Sequence, residues 1–147
     1  MKKKRINWVE ANAACDEMSP MEESAARAIV TQMAEKWTLW TMAVLAEGAA
    51  PMRFSRVMEQ VEGVSQKSLT KTLRQLERDG LVTRAVFAEV PPRVEYAITD
   101  LGMEMLEQVH PLWVWASANV GRFWRRGDGI TGGDDGLMTR CHFISLN

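Results

Sequence analysis

The chain has 147 residues, 46% of them apolar and 25% charged, with a formal net charge of −1. This is one domain's worth of ordinary globular composition, enough to build a core without disulfides or metal. Its apolar runs are too short for a transmembrane helix, and two cysteines (Cys15, Cys141) and two histidines (His110, His142) make neither a disulfide framework nor a metal cage.

Residues 1–18 lack an apolar period and are expected to form a weakly ordered arm. Lys2-Lys3-Lys4-Arg5 is followed by no apolar signal core, so a cytoplasmic location is expected. Ser19-Pro20-Met21-Glu22 marks a helix start. Ser19 can cap, Pro20 suits the first turn, and Glu22 can return a bond to the cap. Ala26, Ile29, Val30 and Met33 follow at helical spacing. A second helix holds Trp37, Trp40, Thr41, Val44 and Leu45, and ends at Gly48. A short helix over about Arg53–Val61 leads into the turn Glu62-Gly63-Val64. Ser65 then caps a helix from Gln66 to about Asp79, stopped by Gly80. Leu81–Phe87 and Arg93–Ile98 read as a hairpin around Ala88-Glu89-Val90-Pro91-Pro92. Thr99-Asp100 opens a last helix to about Trp124, which Pro111 should kink or split. Residues 127–147 hold five of the ten glycines and should be a disordered tail. The domain proper is expected to be 19–126.

Charge is unevenly placed. Residues 53–93 carry eight basic and five acidic side chains, so that segment is positive while the remainder is negative. On the helix after Ser65, Lys67, Lys71, Arg74 and Arg78 recur at helical steps and fall within roughly 60° of one another. Leu69, Leu73 and Leu76 lie opposite. Ser65, Gln66 and Thr70 put hydroxyl and amide groups at the helix start, where base edges and phosphates are read. A helix-turn-helix followed by strands bearing Arg84 and Arg93 points to a DNA-binding module.

Several motifs occur in order: Glu35-Lys36-Trp37-Thr38, Pro51-Met52-Arg53-Phe54, Gly63-Val64-Ser65-Gln66-Lys67, Leu73 to Arg84, and Val90-Pro91-Pro92-Arg93-Val94-Glu95-Tyr96. Over about residues 26–116 the chain resembles the HxlR-type winged helix-turn-helix regulators, related to the MarR group. The resemblance implies a mainly α fold with a small β-hairpin, and a homodimer on a pseudopalindromic double-stranded DNA operator. Most members repress transcription. Ser65–Asp79 would be the recognition helix, Arg53 would approach the DNA backbone, and the hairpin would be the wing.

The last helix carries Leu101, Met105, Leu106, Val109, Leu112 and Trp113 at three- and four-residue steps, a stripe suited to a dimer interface. Some members of the resembled family sense oxidants through a cysteine near the first helix. Cys15 is the candidate here, although Asp16 and Glu17 beside it work against its reactivity. Met33, Trp37, Trp40, Met103, Met105, Trp113 and Trp115 are core and interface residues, or the lining of a site for an unnamed effector. No Ser/His/Asp set, phosphate-binding glycine loop or metal-ligand spacing is visible, so neither catalysis nor a cofactor is expected. A protein-binding winged helix is the rival reading. Four aligned cations count against it.

Overall fold

The computed structural model describes residues 7–124, which fall into two compact units divided between Glu35 and Lys36. The first unit contains two helices, α1 (Trp8–Asp16) and α2 (Pro20–Met33). The segment expected to be an arm thus holds a helix, started by Asn7, whose side chain accepts from the Val9 amide at 3.2 Å. Ser19 and Glu22 form the expected capping box, with the Ser19 amide donating to Glu22 at 2.8 Å. These bonds from Ser19 hold the Glu22 carboxyl below the ordinary glutamate range. No residue of α2 is buried, and Ile29 and Val30 on its apolar face are exposed. The first unit extends past α2 to Glu35.

The second unit is a winged helix-turn-helix. It runs α3 (Thr38–Glu47), β1 (Met52–Arg53), α4 (Phe54–Gln60), α5 (Gln66–Arg78), β2 (Val82–Phe87), β3 (Arg93–Ile98) and α6 (Asp100–Trp124). Gly63 (φ 79°) and Gly80 (φ 72°) take the left-handed conformation that lets the chain turn before and after α5. The sheet has three antiparallel strands in the order β1-β3-β2, not the two expected. The added strand is two residues long. Met52 pairs with Tyr96 and Arg53 with Glu95, too short a stretch for any alternation to register in sequence.

The core gathers Met42 and Leu45 of α3, Val57 of α4, Leu69, Leu73 and Leu76 of α5, Leu81 and Val82 at the start of the hairpin, and Leu106 of α6. Each fully buried leucine stabilises the unit by about 1.5–3 kcal/mol. Thr99 joins α5 to α6. Its hydroxyl donates to the Gly80 carbonyl at 2.8 Å and accepts from the Gly102 amide at 3.1 Å. Pro111 does not split α6, which runs unbroken over 25 residues. The expected tail over 127–147, with Cys141 and His142, lies outside the described residues.

Gly102 packs the base of α6 directly onto the hairpin. A Cβ there would meet the Leu81 carbonyl oxygen at 2.5 Å and Ile98 Cγ1 at 2.7 Å. Gly102→Ala should therefore destabilise the protein by about 1–3 kcal/mol, the usual cost of overpacking. Gly121→Ala on the same helix meets nothing within 4 Å and should stabilise it by up to about 1 kcal/mol. Urea denaturation of the two variants checks both signs.

Candidate nucleic-acid interface

The local sequence dictates both faces of α5. Ser65 adopts an extended conformation and its hydroxyl accepts from the Ser68 amide at 3.1 Å, which starts the helix. Leu69, Leu73 and Leu76 are buried. Once they face inward, Lys67, Lys71, Arg74 and Arg78 must face outward, and all four are exposed. The division of this helix into an apolar and a basic face is the one its spacing predicts. The N-terminal end of α5 adds the partial positive charge of its dipole to the same surface.

Two of the polar side chains at the helix start have local tasks. The Ser65 hydroxyl, besides capping, donates to Ser68 Oγ at 2.9 Å. The Thr70 hydroxyl donates to the Gln66 carbonyl at 2.7 Å. Gln66 is exposed at the first helical position. Its amide offers both donor and acceptor, the combination that reads adenine in the major groove.

The other basic residues divide. Arg53 is exposed, ends β1 and immediately precedes α4. Arg84 on β2 is exposed opposite Tyr96. It lines a cleft of about 480 Å3 between α5 and the sheet, together with Gln66, Thr70, Arg74 and Glu77. Helix and wing thus bring Arg74 and Arg84 to one groove. Arg93 is only half-buried and is held by acidic neighbours: Nη2 lies 2.9 Å from Glu89 and Nη1 3.0 Å from Glu95.

The apolar stripe of α6 also divides. Leu106 is 1% exposed within the single chain, so it belongs to the core of its own unit and offers nothing to a partner. Trp113 is half-buried, edge-on to Trp40 with ring centroids 5.0 Å apart. Met105 and Val109 are half-buried. Leu101 and Leu112 are exposed, and so are Trp115 and Phe123 further along. Leu101, Met105, Leu112, Trp115 and Phe123 fall on one side at 100° per residue. The expected stripe stops at Trp113. The same period continues past Pro111, and that continuation is the sequence signal for Trp115 and Phe123.

Cys15 is an exposed free thiol on α1. Among the described residues no group of His, Cys, Asp and Glu could hold a metal ion, and no helix is long and apolar enough to cross a membrane.

Comparison with known proteins agrees with this geometry. The HxlR-like helix-turn-helix family matches residues 32–123. A relative described as an uncharacterized HTH-type transcriptional regulator, YtfH of Escherichia coli K12, is 34% identical over 99 residues, covering 67% of this chain and 77% of the relative. Another HTH-type regulator, from Methanothermobacter thermautotrophicus, is 37% identical over 86 residues; the match covers 58% of this chain and 64% of that relative's length. Among solved structures, YtfH from Salmonella typhimurium superposes with a TM-score of 0.61 at 30% identity, over 69% of this chain and 89% of that one. The reduced form of the transcriptional regulator YodB from B. subtilis gives 0.55 at 31% identity, over 67% and 91%.

Positioning and readout should separate on α5. Lys71→Ala and Arg74→Ala should weaken binding to all DNA and flatten the salt dependence by about one unit for each phosphate left unneutralised. Gln66→Ala should relax discrimination at one base pair by roughly 1–3 kcal/mol. Titrations of specific and random duplexes across a salt series distinguish the two effects.

Proposed function

The chain belongs to the HxlR-like helix-turn-helix family of transcriptional regulators, and on that premise we propose that it represses transcription as a homodimer on a pseudopalindromic operator. The observation that carries this reading is the two-sided α5, with three buried leucines behind four exposed cations. A protein-binding helix has no need of an uninterrupted basic stripe. Phosphates do, because each neutralised charge releases a condensed counterion.

The homodimer is supported by what the single chain leaves exposed. Leu101, Leu112, Trp115 and Phe123 on α6, and Ile29 and Val30 on α2, are large apolar side chains in the open. A second copy of the chain can cover such helical stripes, and Trp and Phe are favoured in interface cores. The proposed interface is therefore Leu101, Met105, Leu112, Trp115 and Phe123, with Val109 and Trp113 at its edge and without Leu106. Two-fold symmetry sets the DNA geometry: the two copies of α5 should enter successive major grooves roughly 34 Å apart. Sedimentation should give a dimer at micromolar concentration. Genomic footprinting should return half-sites one helical turn apart, and a reporter under such an operator should be silenced. A monomer, or protection without paired half-sites, would sink the proposal.

A thiol-responsive version is the second reading. Its support is Cys15, exposed on α1, together with solved neighbours that include diamide-treated YodB (TM-score 0.55, 30% identity) and the oxidised redox regulator HypR (0.56, 29%). A useful switch needs about 1–3 kcal/mol of coupling between the thiol's state and operator affinity. Cys15 lies in the first unit, outside the unit that carries α5, and we expect the coupling to be small. Cys15→Ser should bind operator as the unmodified protein does, with or without peroxide. An affinity decrease on oxidation confined to the protein that keeps Cys15 would make it a redox sensor.

A further inference from the structure

We propose that Arg93 is a positioning residue that holds the wing tip in shape and does not contact DNA, and that Arg84 carries the wing's phosphate contact. The inference rests on the DNA-binding reading above and assigns its parts within the wing.

Arg93 opens β3 and stands directly across from Phe87, the last residue of β2. Its guanidinium is engaged on several sides. Nη2 is 2.9 Å from the Glu89 carboxylate in the tip, and Nη1 donates to Glu95 on its own strand at 3.0 Å. The Cζ atom lies 4.0 Å from the centroid of the Phe87 ring. The side chain is 28% exposed, and Nε is buried with no hydrogen-bond partner among the described residues. Guanidinium planarity makes this combination possible. One flat cation can stack on a ring with its face while its edge holds two carboxylates.

Charge points the same way. Arg93 with Glu89 and Glu95 forms a cluster with one more negative than positive charge, a poor partner for phosphate. The ion pair with Glu89 bridges the base of the tip, whose Val90 is fully exposed. The Glu89 amide, donating to the Phe87 carbonyl at 2.9 Å, belongs to the same closure. Arg84 differs: its cleft holds one acid, Glu77, against the two cations Arg74 and Arg84. It is exposed on β2 and shares a cleft with Arg74 of α5.

The test compares Arg93→Gln, Arg93→Lys, Glu89→Gln and Arg84→Gln in the full chain. Two quantities are read: binding to operator DNA over a salt series, and hydrogen exchange at the Glu89 amide in the DNA-free protein. Arg93→Gln should weaken binding several-fold with an unchanged salt slope and speed exchange at Glu89. Arg93→Lys should fail in the same way, because an ammonium keeps the charge but not the flat fork. Arg84→Gln should lower the salt slope by about one and leave that exchange alone. Glu89→Gln should speed exchange without strengthening binding, and it serves if Arg93→Gln does not fold. The assignment is overturned if Arg93→Lys binds like the unmodified protein while Arg93→Gln lowers the slope by one unit at unchanged exchange. It is equally overturned if exchange at Glu89 is indifferent to residue 93. Should the unmodified protein fail to bind any duplex, the DNA-binding reading falls, and the exchange data still judge the role of Arg93 in the wing.

Discussion

Burial of Leu69, Leu73 and Leu76 on one side of α5 is the packing on which the surface chemistry depends. A helix can turn only one face inward, and three leucines at helical spacing choose which one. Their burial is worth about 1.5–3 kcal/mol each, whereas an exposed ion pair such as Arg56 with Glu59 contributes about 0–1 kcal/mol. The cations of α5 therefore do not arrange themselves. They are carried to the outside by apolar packing and kept there. The two glycine turns complete the arrangement by fixing where the helix begins and where the chain leaves it.

The parts legible in the sequence are those with a strong local cause. Ser19 with Glu22, and Ser65 with its following amides, announce two helix starts through capping chemistry. Gly80 and the β-branched run after it announce the end of α5 and the hairpin. The basic stripe follows from counting. What is not legible has non-local causes. The strand Met52–Arg53 exists only because β3 lies beside it. Leu106 and Leu112 look alike in a helical stripe, yet one fills its own core and the other stands in solvent, a difference that depends on where α3 packs against α6. Arg93 reads in sequence simply as one more basic residue of the wing. Only folding reveals Phe87 across from it and two glutamates within reach. Helix α1 escapes a sequence reading because its apolar residues follow no amphipathic period.

The two units differ in how they satisfy their apolar residues. The winged unit hides Met42, Val57 and its leucines within itself. Helices α1 and α2 leave Trp8, Val9, Ile29 and Val30 open. Apolar side chains left in water contribute no burial free energy to the folded chain, and would do so only against a surface that covered them. The exposed side of α6 has the same character. The residues that fill the core of the winged unit and those that stay exposed on the helices are thus different sets.

The shortest element joins the two ends of the DNA-facing surface. Arg53 is both the last residue of β1 and the cap position of α4. No linker separates the sheet from the helix-turn-helix. The wing is joined through β3 and β1 to α4, which leads through the Gly63 turn into α5. A single residue is thus shared by the sheet that carries the wing and the helix that leads to α5, so a substitution at Arg53 touches both at once.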